Sequence, residues 1–285
     1  MADYQNFLGL GIAGNFALHL AQAGELEDFK DVITADEAAP KGIFPFYLPS
    51  LTKTQATRPH AVLGTYPLSS QKLQLPKECV NVQTEPEVAL LCDVVYENDK
   101  ITQIVPKKFG AYNDASIRIA GAKKISDKKN WGINSKGIAR NLIDIDTFSS
   151  GGIMDHFSIC SFLRRDGVLT QYGEDVELNG YSYFYEKLTA WIVNQINTQE
   201  DFGPLEDIKS YIAMCNNPTK LIISIGATRY TPYGESTFLQ AGDELLVVLY
   251  DKSRYGFQDV QEALEAKEYD KEGMSVLAQE VLSHS

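Results

Sequence analysis

The sequence predicts an α+β fold that is mainly β. Two segments read as hairpins, one reads as an amphipathic helix, and Phe and Tyr are plentiful, at 13 and 15 in 285 residues. Aromatic residues favour strands, and short turns between apolar runs build antiparallel sheet. "VALLCDVVYENDKITQIV" is expected to turn at Glu97 to Lys100, and "FSICSFLRRDGVLTQYGED" at Asp166-Gly167. "YFYEKLTAWIVNQIN" places Phe184, Leu188, Trp191, Ile192 and Ile196 at helical spacing, a face meant for a core.

The remaining elements follow in chain order. Residues 9–25, "GLGIAGNFALHLAQAGE", contain Gly9, Gly11 and Gly14 as a G-x-G-x-x-G, with Asp36 and Glu37 beyond. In a dinucleotide fold, an acid about 20 residues on would bind the ribose. That motif needs alternating strands and crossover helices, yet a proline-rich stretch over 38–76 stands where the next unit belongs. The middle of the chain is built from hairpins, so no NAD site is expected and the glycines need another role. A short helix is expected from Asn15, a good N-cap, to Gly24, a good stop. "KLIISIGA" and "DELLVVLY" read as strands, and the charged tail from Ser253 onward reads as helical, a packing or subunit-contact element.

Composition narrows the function classes. The formal net charge is −12, which disfavours nucleic acid as a partner. An acidic protein holds a small anion only where a metal or a few basic groups reverse the local potential. No apolar run approaches the roughly 20 residues of a membrane helix. The start, "MADYQNFLG", lacks the features of a signal peptide. Cys79, Cys92, Cys160 and Cys215 are scattered with no C-x-x-C, as expected of reduced thiols in a cytoplasmic protein.

The acids carry the chemistry. In "VNVQTEPEVALLCDVVY", Glu85 and Glu87 head an apolar strand, and residues two apart on a strand share a side. Two adjoining carboxylates beside buried chain repel one another and lose hydration, an arrangement a cation relieves. "GAYNDASIR" adds Asp114 and Arg118, and "KKNWGINSKG" adds Lys129. Three carboxylates without Cys or paired His describe a hard oxygen site suited to Mg²⁺, Mn²⁺ or Ca²⁺. Arg118 and Lys129 would add a carboxylate clamp.

In this order the residues resemble the fumarylacetoacetate hydrolase superfamily. Glu85-Pro86-Glu87, Asn113-Asp114-Ala115-Ser116-Ile117-Arg118 and Lys129-Asn130-Trp131-Gly132 match its Glu-x-Glu strand, Asn-Asp-x-Ser-x-Arg loop and Lys-aromatic segment. "GNFALHLAQAG", "PKGIFPFYLP" and "IISIGATRYTPYGESTFLQAGDELLVV" extend the likeness over about residues 9 to 250. The resemblance implies a mixed β-sandwich or β-roll catalytic domain, 77–285 here, with a helical tail. Residues 1–76 would carry a short lid helix and the proline-rich stretch. It also implies a homodimer and Mg²⁺ or Mn²⁺ held by Glu85, Glu87 and Asp114.

The substrates implied are small 2-oxo or 1,3-diketo acids, handled through a metal-stabilised enolate. Arg118 and Lys129 would bind a carboxylate or a developing oxyanion, and His19 would be carried over the metal, the opening glycines letting the chain turn. Hydrolytic members pair that His with a Glu to activate water; here position 22 is Gln. A neutral amide orients an imidazole but does not stabilise it once protonated. Leu48 stands where relatives often have Lys, and Ala227 where they often have Thr, with Thr228 as a substitute. Expected activities are C–C hydrolysis or decarboxylation, a tautomerase or isomerase reaction that needs no activated water, or metal-dependent binding without turnover.

Overall fold

The structure of the chain, a computed structural model, describes residues 4–34, 36–49, 60–78, 81–119 and 121–284, with backbone alone for His60 and Ala61. Cys79 and part of the proline-rich stretch lie outside the described residues.

Two sheets face one another across a shared core. The first has eight strands. Its main path runs Gly42–Tyr47, Leu8–Ala13, Lys220–Ser224, Pro86–Glu97, Lys100–Asn113, Lys136–Ile138 and Leu68–Ser69, with Ile143–Asp144 also paired to Lys100–Asn113. The second runs Val168–Glu177, Phe157–Arg165, Glu244–Asp251, Met274–Leu282 and Lys72–Gln74. Alternation sorts the faces. Val88, Leu90 and Cys92 share one cluster with Phe157, Ile159, Val247 and Leu249, while Ala89 and Leu91 join Phe46 and Ile222 on the other side. The helix Phe257–Glu265 covers the outer face of the second sheet through Val260 and Leu264, against Phe162 and Val248.

Both hairpins fold as expected, on turn chemistry. Asn98 and Asp99 adopt φ of 50° and 60°, and Asp166 and Gly167 adopt 52° and 81°. Such left-handed pairs match the twist of the flanking strands. The helix Tyr185–Thr198 buries Leu188, Trp191, Ile192 and Ile196. At roughly 1.5–3 kcal/mol for each large apolar side chain, this face fixes the helix firmly.

Four expectations are corrected. The tail is helical only over Phe257–Glu265; Met274–Leu282 is a strand, paired antiparallel to Glu244–Asp251 and parallel to Lys72–Gln74. The acidic run ahead of it hid a nine-residue strand. The first helix spans only His19–Gln22, and Leu18, not Asn15, precedes it, at a left-handed φ of 71°. Asn15 instead spends its amide on Tyr183 and Ile225, accepting from Tyr183 N and donating to both carbonyls. The proline-rich stretch contains the strand Gly42–Tyr47, whose Pro45 is tolerated at a sheet edge.

The fourth concerns the opening glycines. Gly9 and Gly11 lie inside the strand Leu8–Ala13, and a Cβ at either would stand 2.3 Å and 2.2 Å from the rings of Phe46 and Phe44 respectively. They are notches for two aromatic rings of the neighbouring strand. Gly14 alone makes the turn, at a φ of 75°. Cys92, Cys160 and Cys215 are free and buried. Among the described residues, no helix is long and apolar enough to cross a membrane.

Candidate active site

Strand register assembles the acids. The long hairpin pairs Pro86 with Asn113 and Glu87 with Tyr112, so Asp114 returns beside Glu85, its N–H donating to the Glu85 carbonyl at 3.0 Å. The next strand pairs Gly137 with Asn113, which brings Lys136 to Asp114. Carboxylate oxygens of Glu85, Glu87 and Asp114 lie within 4.8 Å of one another, and all three residues are buried.

Cations hold this cluster together. Lys129 Nζ is 2.7 Å from both Glu85 Oε2 and Asp114 Oδ2. Lys136 Nζ is 2.8 Å from Asp114 Oδ1, and Arg118 Nη2 is 2.8 Å from Glu85 Oε1. Both Asp114 oxygens and Glu85 Oε1 nevertheless lack an aligned hydrogen bond. Phe44 lies under the Lys129 ammonium at 5.3 Å, so the notch at Gly11 serves the site indirectly.

Electrostatics splits the two glutamates. Burial opposes ionisation of Glu85, but Lys129 and Arg118 outweigh it and hold the carboxyl well below its usual range. Among the described residues Glu87 has no ion-paired partner. Burial, then repulsion by Asp114 and Glu85, pushes it well above the usual range, although Gly226 N donates to its Oε2 at 3.0 Å. Burial pulls Lys136 down to about 8, with Asp114 resisting. The oxygens are hard donors, buried and under-bonded, with one glutamate short of positive charge. That set fits a divalent cation such as Mg²⁺ or Mn²⁺.

His19 closes the space from above. It is 4% exposed, its Nε2 is 4.0 Å from Glu85 Oε2, and neither ring nitrogen has a hydrogen-bond partner among the described residues. Burial lowers its pKa, so the imidazole is neutral near pH 7. Its ring packs on Tyr230 at 5.1 Å. Gln22 does not engage the imidazole. Its amide accepts from Tyr230 N at 2.9 Å and donates to Tyr230 O at 3.1 Å. The enclosed volume left among these groups is about 10 Å³, room for roughly one water or one ion.

Two residues expected to contact a ligand, Arg118 and Thr228, already have partners within the protein. Arg118 is spoken for on every nitrogen: Nε donates to Gln83, Nη1 to Glu25, and Nη2 to the Tyr230 hydroxyl beside Glu85. Thr228 is fully buried and donates back to the Pro86 carbonyl from its N–H and its hydroxyl. Leu48 belongs to the core.

Sequence reasoning missed Lys136 and Tyr230. Glu25 lines the same space and binds Arg118 and Lys128 at 2.8 Å each. Tyr230 ties Gln22, His19, Arg118 and the Thr84 carbonyl into one unit.

Comparison with solved structures identifies the fold. A fumarylacetoacetate hydrolase family protein from Yersinia pestis shares 15% identity, with 96% of this chain and 93% of that one covered at a TM-score of 0.51. The 5-carboxymethyl-2-hydroxymuconate delta-isomerase of Mycobacterium smegmatis shares 14%, covering 98% and 79% at 0.52. The crystal structure of Cg1458 with inhibitor shares 15%, covering 97% and 77% at 0.55. The chain therefore has the fumarylacetoacetate hydrolase fold, with a buried carboxylate triad at its centre. By sequence it belongs to the family of unknown function DUF5718, which residues 25–281 match. No curated protein matches it in sequence.

Proposed function

We infer that the chain is a divalent-metal-dependent enzyme that moves a proton on a small 2-oxo or 1,3-diketo acid, a tautomerase or isomerase. The observation that carries this reading is His19, a buried neutral imidazole with two bare nitrogens above the triad. Glu85, Glu87 and Asp114 would hold the ion. When bound, the ion would supply a Lewis acid for the substrate's 2-oxo and carboxylate oxygens.

The protein's own groups account for the rest. His19 Nε2 accepts a proton from the carbon beside the oxo group and returns it elsewhere on the same substrate. While protonated, the imidazolium is steadied by the Glu85 carboxylate 4.0 Å away. Lys129, fully charged because Asp114 and Glu85 outweigh its burial, offers positive charge to a developing oxyanion. Hydrolysis in the family that the sequence resembles pairs this His with a Glu three residues on, and here that position is Gln22, neutral and turned to Tyr230. The likeness in fold to a delta-isomerase supports the same choice.

The test is deuterium exchange at C3 of oxaloacetate or an acylpyruvate, followed by NMR with Mg²⁺ or Mn²⁺ present. Exchange that His19→Asn abolishes while Mn²⁺ uptake persists is expected. Accumulation of cleaved products would instead establish hydrolysis or decarboxylation. Binding without exchange or cleavage would leave a sensor.

A further inference from the structure

A second cavity, of about 420 Å³, opens on the first sheet among Tyr4, Tyr66, Leu68, Ser70, Ile138 and Arg140. Its size falls in the range of small-molecule pockets, roughly 300–1,000 Å³. Register sets it apart from the triad. Glu87 pairs with Tyr112 and Tyr112 with Ile138, so the three form one cross-strand row on one face. Tyr112 is fully buried between its two neighbours, its ring against Phe46 at 5.7 Å. The cavity and the space under His19 share no lining residue.

The walls are aromatic and braced. Tyr66 meets Tyr47 edge to face at 5.2 Å, and Tyr4 meets Phe7 in the same way at 5.3 Å. Leu68 and Ile138, 7% and 4% exposed, make an apolar base. Such rings favour a flat partner, taken offset or edge-on. One end of the cavity is charged. Arg140 is exposed, and its Nε donates to Ser70 Oγ at 3.0 Å, which fixes the plane of the guanidinium. Arg118, Arg164, Arg165, Arg229 and Arg254 each pair with a carboxylate. With 38 acidic residues in the chain, Arg140 still has no acidic partner among the described residues. Its Nη1 and Nη2 are left as a fork that matches a carboxylate. The hydroxyls of Ser69 and Ser70 accept hydrogen bonds and keep their own hydrogens to donate.

We propose that this cavity binds a small aromatic carboxylic acid, its carboxylate on the Arg140 fork and its flat body against Tyr4, Tyr66 and Ile138. The site is independent of the metal reading, because no residue that lines it belongs to the triad.

Amide NMR of the metal-free full chain, titrated with benzoate, benzamide and inorganic phosphate, tests this. Benzoate is expected to move the resonances of residues 68–70 and 138–140. Benzamide, which has the ring without the charge, should bind at least about tenfold more weakly. Arg140→Gln should bring benzoate down to the benzamide level without changing the thermal melt, since the side chain is exposed. The response should be the same with Mg²⁺ present, so failure here is distinguishable from failure of the metal reading. Equal affinity for benzoate and benzamide, or benzoate binding that survives Arg140→Gln, overturns the proposal. Phosphate binding as tightly as benzoate overturns the flat body. Self-association that Arg140→Gln abolishes, seen by sedimentation, would give this face to a second copy and overturn the small ligand.

Discussion

The floor and the roof of the site are built on opposite terms. The floor, Glu85, Glu87, Asp114, Lys129 and Lys136, stands on strand ends locked by register, and each of its residues is no more than 3% exposed. Asp114 is gripped by two lysines and Glu85 by a lysine and an arginine. The roof is a four-residue helix, entered through a strained Leu18 that is 69% exposed, with Leu20 packed beneath it and one glutamine amide tying it to Tyr230. Isolated helices this short have no stability of their own. The contrast teaches that the charge arrangement is over-determined, whereas the placing of His19 depends on few contacts.

Three substitutions probe that difference, beginning with the largest. Lys136→Met leaves an Asp114 oxygen buried opposite an alkyl chain, and breaking a buried pair costs about 3–5 kcal/mol. Urea unfolding reads this directly, and a loss below about 1 kcal/mol would mean that the Lys136–Asp114 pair does not hold the floor.

Glu206 sits one layer behind, accepting from Ser126 at 2.9 Å in the turn that leads to Lys129. Burial pushes its carboxyl up to about 7 from an ordinary 4.5. The fold therefore favours the protonated form, a contribution present below the unfolded value and lost as pH rises through about 7. Glu206→Gln keeps the acceptor and removes the charge. It should gain up to about 3 kcal/mol relative to the parent at pH 8 and little at pH 4, read as thermal melts at both. An equal effect at both pH values would sink the assignment.

The smallest effect belongs to the roof. Gln22→Glu can still accept from Tyr230 N–H but has no donor for the Tyr230 carbonyl. A cost of about 1 kcal/mol is expected, confined to amide exchange over residues 15–25. Protection lost equally from the Pro86–Glu97 strand would make the two regions one cooperative unit.

How much was legible in the sequence follows the same division. Turn residues wrote both hairpins plainly, because Asn98-Asp99 and Asp166-Gly167 tolerate left-handed backbone. The triad was readable because side chains two apart share a strand face and a hairpin of this length returns Asp114 beside Glu85. Lys136 was not, since only the pairing of a distant three-residue strand sets it against Asp114. Tyr230 and the true occupation of Gln22 hang on a loop whose path no local pattern specifies. Gly9 and Gly11 imitate a phosphate cradle, because a glycine that yields to a ring and one that yields to a ligand look alike in one dimension.

The scant void beneath His19 carries a kinetic consequence. A molecule even as small as oxalate has several times more heavy atoms than the single water that fits, so its capture has to await a unimolecular opening of the roof. Stopped-flow traces of ligand capture should therefore level off at high concentration instead of climbing linearly, and the plateau reports how often that door swings.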